Sequence, residues 1–196
     1  MIIGLTGQTG SGKSTVCSIL KEKGFYICDC DEVASRVRKE KNIIEKLKNI
    51  FGQDIETDGK INNRLLALRA FKDEESTNLL NSIMHPEILK IAFNEIEEAL
   101  NRGYKFAVLD GAVLFESGAN EKCDFLVSVI ADENERLERL IKRDKISKEQ
   151  ARLRMRAQKD QEFYILHSDF VIKNDNLSDL TAQVEELIGI VNGRRN

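Results

Sequence analysis

The chain opens on Ile2-Ile3-Gly4-Leu5, a short apolar run that stops at a glycine-rich stretch, the pattern of a buried strand. Val16, Ile19 and Leu20 then share one face of a helix expected from about Lys13 to Lys23, with Gly24 closing it. Phe25-Tyr26-Ile27-Cys28 forms the next apolar run and ends at the acidic residues Asp29 and Asp31. Strand, helix and strand so close together make a βαβ unit, which predicts a parallel sheet.

The period then changes. From Glu32 to Arg102 the apolar positions recur at helical spacing almost throughout. Ile43, Ile44, Leu47, Ile50 and Phe51 define one face, Leu65, Leu66, Leu68 and Phe71 another, and Leu79, Leu80 and Ile83 a third. Asp58-Gly59 marks a turn between the first two. His85-Pro86 holds the chain's only proline and is expected to open a helix running to Arg102, because proline suits a first turn. About seventy helical residues are too many for a simple crossover, so segment 32–103 reads as a helical insertion.

Strands resume at Lys105-Phe106-Ala107-Val108-Leu109-Asp110 and at Phe125-Leu126-Val127-Ser128-Val129-Ile130. A helix begins near Glu133, and Ser147 with Gln150 forms a capping-box pattern for another through Gln158. Phe170-Val171-Ile172 is a last short strand. Leu180, Val184, Leu187, Ile188 and Val191 make a closing amphipathic helix. The pattern predicts an α/β fold, a parallel sheet of about five strands flanked by helices in three layers.

Composition narrows this only slightly. A length of 196 residues suits one compact unit with insertions, and 41% hydrophobic with 32% charged residues is ordinary for a globular chain. No apolar run approaches a bilayer span, and Met1-Ile2-Ile3-Gly4-Leu5 has no secretory pattern, so a cytoplasmic protein without a membrane partner is expected. Cys17, Cys28, Cys30 and Cys123 match no zinc spacing and read as reduced thiols. The net charge of −3 argues against a nucleic-acid partner. Its distribution is uneven: Arg136 to Lys159 carries ten cations against Glu138, Asp144 and Glu149, so the rest of the chain carries −10. That basic stretch is either a solvated helix face or a surface for a polyanionic ligand.

The strongest chemical signal is Gly7-Gln8-Thr9-Gly10-Ser11-Gly12-Lys13-Ser14-Thr15, which fits the phosphate-binding pattern Gly-x-x-x-x-Gly-Lys-Ser between an expected strand and an expected helix. Its glycines let successive N–H groups surround phosphate, and the positive end of the helix favours the same anion. Lys13 is expected to reach the β- and γ-phosphates of ATP, and Ser14 to ligate Mg2+. Asp110, at the carboxyl end of a strand, is a second candidate contact for Mg2+, or a turn residue. Asp29 and Asp31 end the second strand; one of them is the base for an attacking hydroxyl, or Asp31 caps the helix that begins near Glu32. Arg136, Arg139 and Arg143 share one helical face and, with Arg152, Arg154 and Arg156, point to a lid that neutralises the transferring phosphoryl group. His85 stands alone, more a packed or capping residue than a catalytic one.

In order and spacing these residues resemble the dephospho-CoA kinases, P-loop kinases that phosphorylate the ribose 3′-hydroxyl of dephospho-CoA. The resemblance rests on Leu5-Thr6-Gly7 with Gly10-Ser11-Gly12-Lys13-Ser14-Thr15, on Asp29-Cys30-Asp31, and on Asp58-Gly59 followed by Arg64-Leu65. It continues through His85-Pro86, Leu114-Phe115-Glu116 after Asp110, Arg139, Arg143-Asp144, Gln158, and Ser168-Asp169-Phe170-Val171-Ile172-Lys173-Asn174. It implies a P-loop kinase-like fold with a nucleotide-binding core over 1–31, 104–140 and 166–196, an acceptor-binding insertion over 32–103, and a lid over 141–165. It implies Asp31, Lys13, Arg139 and Arg143 as catalytic residues, with Asp31 the favoured base. ATP is expected at Gly10, Ser11, Gly12, Lys13, Ser14, Thr15, Arg143 and Asn174. Dephospho-CoA is expected at Asp31, Arg64, His85, Phe115 and Glu116, and Mg2+ at Ser14 and Asp110.

Two departures accompany the resemblance. Gln8-Thr9 stands where the family usually has glycine and an aliphatic residue, and is expected to alter the fit of the loop without ending phosphate binding. Asp110-Gly111-Ala112-Val113-Leu114-Phe115-Glu116 lacks the usual proline, which loosens that turn. Other P-loop nucleoside or nucleotide kinases lack the Asp-x-Asp, His-Pro and Leu-Phe-Glu set. A nucleotide-dependent switch would carry a base-reading Asn-Lys-x-Asp, which Lys173-Asn174-Asp175 does not match.

Overall fold

The computed structural model describes residues 1–175 and 179–194; the remaining residues of the expected core segment 166–196 lie outside the described residues. In chain order the elements are β1 (Ile2–Gly7), α1 (Lys13–Glu22), β2 (Tyr26–Asp29), α2 (Cys30–Val37), α3 (Lys41–Phe51), β3 (Glu56–Thr57), β4 (Lys60–Ile61), α4 (Asn63–Ala70) and α5 (Glu74–Asn101). They continue with β5 (Ala107–Asp110), β6 (Phe125–Ile130), α6 (Glu133–Asp144), α7 (Lys148–Arg156), α8 (Gln161–Leu166), β7 (Phe170–Lys173) and α9 (Leu180–Arg194). By contacts the chain divides into two compact units, Met1–Cys28 with Glu98–Asn196, and Asp29–Glu97.

The first unit is built on a parallel sheet of five strands in the order β2-β5-β1-β6-β7. β1 sits between two parallel partners: Ile3 pairs with Val108 of β5 and with Phe125 of β6, and Leu5 with Asp110 and Val127. Ile3, Leu5, Val108, Leu109, Val127 and Val129 are wholly buried, as a sheet covered on both faces requires. Val16 and Leu20 of α1 and Val184, Leu187 and Val191 of α9 belong to the same apolar cluster. From β1 the chain goes to one side for β2 and β5 and to the other for β6 and β7. The carboxyl end of β1 is therefore the topological switch point, where open α/β sheets bind ligands. A smaller cluster of Leu137, Leu140 and Ala151, with Ile141, Ile146 and Met155 against it, holds α7 to α6.

The second unit buries Ile43, Ile44, Leu47 and Phe51 from α3 with Ile55, Leu66 and Ala70. The expected turn at Asp58-Gly59 joins a short antiparallel hairpin, β3–β4, inside a segment that reads as helical almost throughout. Both turn residues adopt positive φ, 51° at Asp58 and 76° at Gly59, the geometry that two-residue hairpins favour. A strand of two residues is too short for its alternation to be legible.

His85-Pro86 does not open a helix. α5 runs unbroken from Glu74 to Asn101 with Pro86 inside it. The reason lies in the burial pattern: Met84, Ala92, Ile96 and Ala99 form a buried stripe past the proline, while Pro86 itself is exposed. An interior proline costs about 3 kcal/mol, but here it lies on an exposed face, as does Ser82, whose carbonyl loses its donor, and the apolar stripe continues. The helix expected through Gln158 also ends earlier, at Arg156, and is followed by the short α8, whose six residues are too few to show a period.

Replacing Pro86 with alanine restores a donor to the Ser82 carbonyl and is expected to raise the unfolding free energy by about 1–3 kcal/mol. Urea denaturation of the two proteins, with unchanged slope, measures this; equal or lower stability of Pro86→Ala means the helix is adapted to its proline.

Candidate active site

At the end of β1 the chain turns through residues 8–12 and enters α1 with Gly12 as the residue before the first helical position. Gly12 is left-handed, φ 93° and ψ 23°, and no side chain caps the helix there. A Cβ at Gly12 would run into Asn174 Nδ2, so both conformation and space demand glycine. The amides of Gly10, Gly12 and Ser14 meet no protein acceptor among the described residues, which leaves them to an anion at the mouth of the helix.

The carbonyl side of the loop is the reverse. Three consecutive carbonyls are held by side chains from elsewhere in the unit. Arg136 Nε donates to Thr9 O at 3.0 Å, Arg139 Nη1 to Gly10 O at 3.4 Å, and Asn174 Nδ2 to Ser11 O at 2.7 Å. Arg139 is further fixed by Glu135 at 2.8 Å and by the Asn174 carbonyl at 2.9 Å. Asn174 continues from β7 and donates its own amide to Ile130 O at the end of β6, 2.8 Å away. Of Arg136, Arg139 and Arg143, spaced along one face of α6, the first two reach the loop. Arg143 is 62% exposed and, with Arg154, embraces Asp144 at 2.7 Å from each. Those guanidinium groups hold the Asp144 carboxyl below the usual carboxylate range, the Arg143 hydrogen bond first among the causes.

Lys13 extends to Asp110 in an ion pair, and Cys17, one helical turn after Lys13, donates its thiol to the other Asp110 oxygen at 3.1 Å. Asp110 is 6% exposed and lies opposite Leu5 in the register, so β5 carries it to the flank of the loop. Ser14 and Thr15 are exposed in the first turn of α1. No group of three or more His, Cys, Asp or Glu able to hold a metal occurs among the described residues. Ser14 and Asp110 are nonetheless hard oxygen donors of the kind that share Mg2+ with phosphate and water.

Of the acceptor residues implied by resemblance, Phe115 and Glu116 belong to the first unit and Asp31, Arg64 and His85 to the second. Phe115 is half-buried and packs edge-on against Phe163, 5.1 Å between centroids, with Tyr164 and His167 beyond it. Phe163 in turn stacks on His167 at 4.1 Å. Glu116 beside it is exposed. Burial, with Glu116 adding to it, pushes the Tyr164 hydroxyl up to about 12. In the second unit Arg64 is exposed in the first turn of α4, and His85 is half-buried in mid-α5. Asp31 does not cap a helix: α2 starts at Cys30, and Asp29 is the cap, accepting from the amides of Asp31 at 2.7 Å and Glu32 at 3.3 Å. The Asp31 side chain is exposed, and no hydrogen bond to it occurs among the described residues.

Spacing placed Arg136 among the lid arginines and Gln8 and Thr9 within the loop, but it did not reveal the contacts that these residues and Gln158 make with one another and with the loop backbone. Gln8 is buried and donates to the Lys159 carbonyl at 3.2 Å, and Thr9 donates its amide to Gln158 Oε1 at 2.7 Å. Gln158 therefore touches the loop, and Arg136 is buried beneath it at 4% exposure. A cation in an amphipathic helix reads as surface, and nothing local in the sequence marks this one as interior.

The family model for dephospho-CoA kinase matches residues 1–179. The chain belongs to the dephospho-CoA kinase family. The dephospho-CoA kinase of Corynebacterium glutamicum is 39% identical over 197 residues, covering 99% of this chain and 98% of the relative. That of Fusobacterium nucleatum is 38% identical, covering 94% and 95%. Among solved structures, a Thermus thermophilus protein matches with a TM-score of 0.82 at 31% identity, and dephospho-CoA kinase from Campylobacter jejuni with 0.72 at 25%; each comparison covers 100% of this chain and 98% of the other. Shikimate kinase from Acinetobacter baumannii, with a TM-score of 0.55 at 14% identity over 98% of this chain and 93% of that one, shares the fold.

Two outcomes are expected of this geometry. Gly12→Ala should weaken ADP binding by at least about tenfold in a calorimetric titration, since a positive φ and the Asn174 contact oppose any Cβ. Undiminished affinity would show that the loop relaxes freely. For Asp144, the lowered folded value means its contribution to stability is present above the unfolded carboxylate value of about 3.9 and fades as pH falls through the folded value. Wild type and Asp144→Asn should therefore differ in melting temperature at neutral pH and converge as the pH falls below the folded value of Asp144.

Proposed function

We propose that this enzyme transfers the γ-phosphoryl group of ATP to the ribose 3′-hydroxyl of dephospho-CoA, giving CoA and ADP, the last step of coenzyme A synthesis. The observation that carries this reading is the amide cradle at the switch point in a chain that matches the dephospho-CoA kinase family over residues 1–179. Gly10, Ser11, Gly12, Lys13, Ser14 and Thr15 hold the phosphates. Lys13 exchanges its Asp110 partner for phosphate oxygens, which releases the Asp110 carboxylate. Ser14 and Asp110 would hold Mg2+, which would supply charge neutralisation on the phosphates.

Asp31 takes the proton from the acceptor hydroxyl. It is favoured over Asp29 because the Asp29 carboxylate already accepts two backbone amides at the start of α2, whereas that of Asp31 is exposed. Arg143 leaves Asp144 to stabilise the transferring phosphoryl group. Arg139 serves from behind, because its guanidinium is already engaged by Gly10, Asn174 and Glu135. Segment 32–103, with Arg64 and His85, receives the acceptor, joined by Phe115 and Glu116. Segment 141–165 is the lid, and α7 within it packs on α6 through the small cluster around Leu140. No described helix is long and apolar enough to cross a membrane, and the proposed substrates support a cytoplasmic location.

An ADP-release assay with dephospho-CoA, adenosine, AMP and pantothenate as rival acceptors tests the reaction. Turnover with dephospho-CoA far above the others is expected; turnover only with another acceptor sinks the assignment. Asp31→Asn should lower kcat at least about a hundredfold while leaving the KM for ATP within about threefold, the signature of a lost general base. Near-normal turnover would remove Asp31 from the chemistry.

A further inference from the structure

Thr9 is held at both ends of its backbone by side chains remote in sequence. Its carbonyl accepts from Arg136 Nε at 3.0 Å, and its amide donates to Gln158 Oε1 at 2.7 Å. Next to it, Gln8 Nε2 reaches the Lys159 carbonyl. α6 closes on the loop from the same side: a Cβ on Gly10 would lie 2.8 Å from the Arg136 carbonyl and 3.2 Å from its Cα. Arg136 is 4% exposed, and burial lowers its guanidinium from the ordinary value, opposed by Glu133 and Tyr164.

The peptide plane gives these contacts their consequence. The carbonyl of Thr9 and the amide of Gly10 are the two ends of one planar trans unit and point in opposite directions. A guanidinium that fixes Thr9 O on the outside of the loop therefore fixes the Gly10 N–H on the inside. The Gly10 amide meets no protein acceptor among the described residues. Gln158 fixes the preceding peptide: it accepts from the Thr9 amide, while the Gln8 carbonyl at the other end of that plane accepts from the Ser11 amide at 3.0 Å. A buried, charged anchor is an expensive way to pack a helix, since apolar side chains of similar volume are often as good or better for stability. Directional bonds to two adjacent peptides are what the arginine and the glutamine supply and an apolar pair does not.

We propose that Arg136 and Gln158 are positioning residues for phosphoryl transfer, acting through Thr9 to aim the Gly10 amide at the nucleotide phosphates. Because Gln158 follows α7, the setting of the loop is tied to the placement of that segment. The inference rests on reading the loop as the ATP site, though not on the identity of the acceptor.

The test uses Arg136→Met, Gln158→Leu and Gln158→Glu in the full chain. ADP affinity is measured by calorimetry, together with melting temperature and the KM values for ATP and dephospho-CoA. Arg136→Met and Gln158→Leu should each raise the Kd for ADP and the KM for ATP about tenfold, with the KM for dephospho-CoA unchanged. Gln158→Glu keeps an acceptor for the Thr9 amide and should stay within about twofold of wild type. The double variant should lose less than the product of the two singles, since both act on one residue.

Unchanged ADP affinity in a folded Gln158→Leu protein overturns the proposal. So does a Gln158→Glu protein as impaired as Gln158→Leu, or an equal rise in both KM values. Gln158 is half-buried, so its two variants decide the matter even if Arg136→Met does not fold. Wild-type protein that binds ADP but ignores dephospho-CoA would sink the acceptor assignment and leave this inference standing; wild type that binds no ADP would sink both.

Discussion

A backbone loop can present amides to an anion only if its carbonyls are turned away and satisfied there, because each peptide is planar and its two polar ends oppose one another. Much of the first unit answers that demand. The carbonyls of Thr9, Gly10 and Ser11 find donors in Arg136, Arg139 and Asn174. Those donors lie more than a hundred residues away in sequence, on α6 and at the end of β7. They reach the loop because β6 and β7 lie on one side of β1 in the sheet, so that the elements leaving their carboxyl ends arrive beside the loop. The strand order is thus part of the chemistry: a sheet with β6 and β7 elsewhere would leave those carbonyls without these donors.

Satisfaction is incomplete, and where it fails is informative. The side-chain atoms that are buried without a hydrogen-bond partner among the described residues are Gln8 Oε1, Ser11 Oγ and Arg136 Nη2. Each such group costs about 1–3 kcal/mol, and all three sit in or under the loop. The five-stranded core shows the opposite economy, with wholly buried aliphatic residues on adjacent strands. Stability is supplied by the sheet and its covering helices, and is partly given up at the loop, where polar groups are kept for what they orient.

The sequence made the sheet legible because parallel strands buried on both faces are unbroken apolar runs, and Phe125–Ile130 was readable to the residue. The loop was legible for a different reason: the torsions and the anion demand particular residue types at fixed spacing. What escaped depends on tertiary context. Pro86 reads as a helix start by local preference, but the buried stripe from Met84 to Ala99 overrides that preference and carries α5 through it. β3, β4 and α8 are too short to show a period. The role of Arg136 was hidden because burial of a cation follows from what packs over it, and here that is a loop 127 residues earlier.

The same reasoning separates the two aspartates after β2, which spacing alone left equivalent. Using as a base a carboxylate that accepts two backbone amides at a helix start would cost those bonds. Asp29 is in that position, with the Asp31 and Glu32 amides as donors. Its capping also fixes the first turn of α2, and therefore the backbone from which Asp31 projects. The division of labour follows from geometry: the first aspartate orders the turn, and the second is left exposed with its carboxylate available. On the proposed reading, a substitution at Asp29 would disturb chemistry indirectly, through the helix start, while one at Asp31 would remove the proposed base itself.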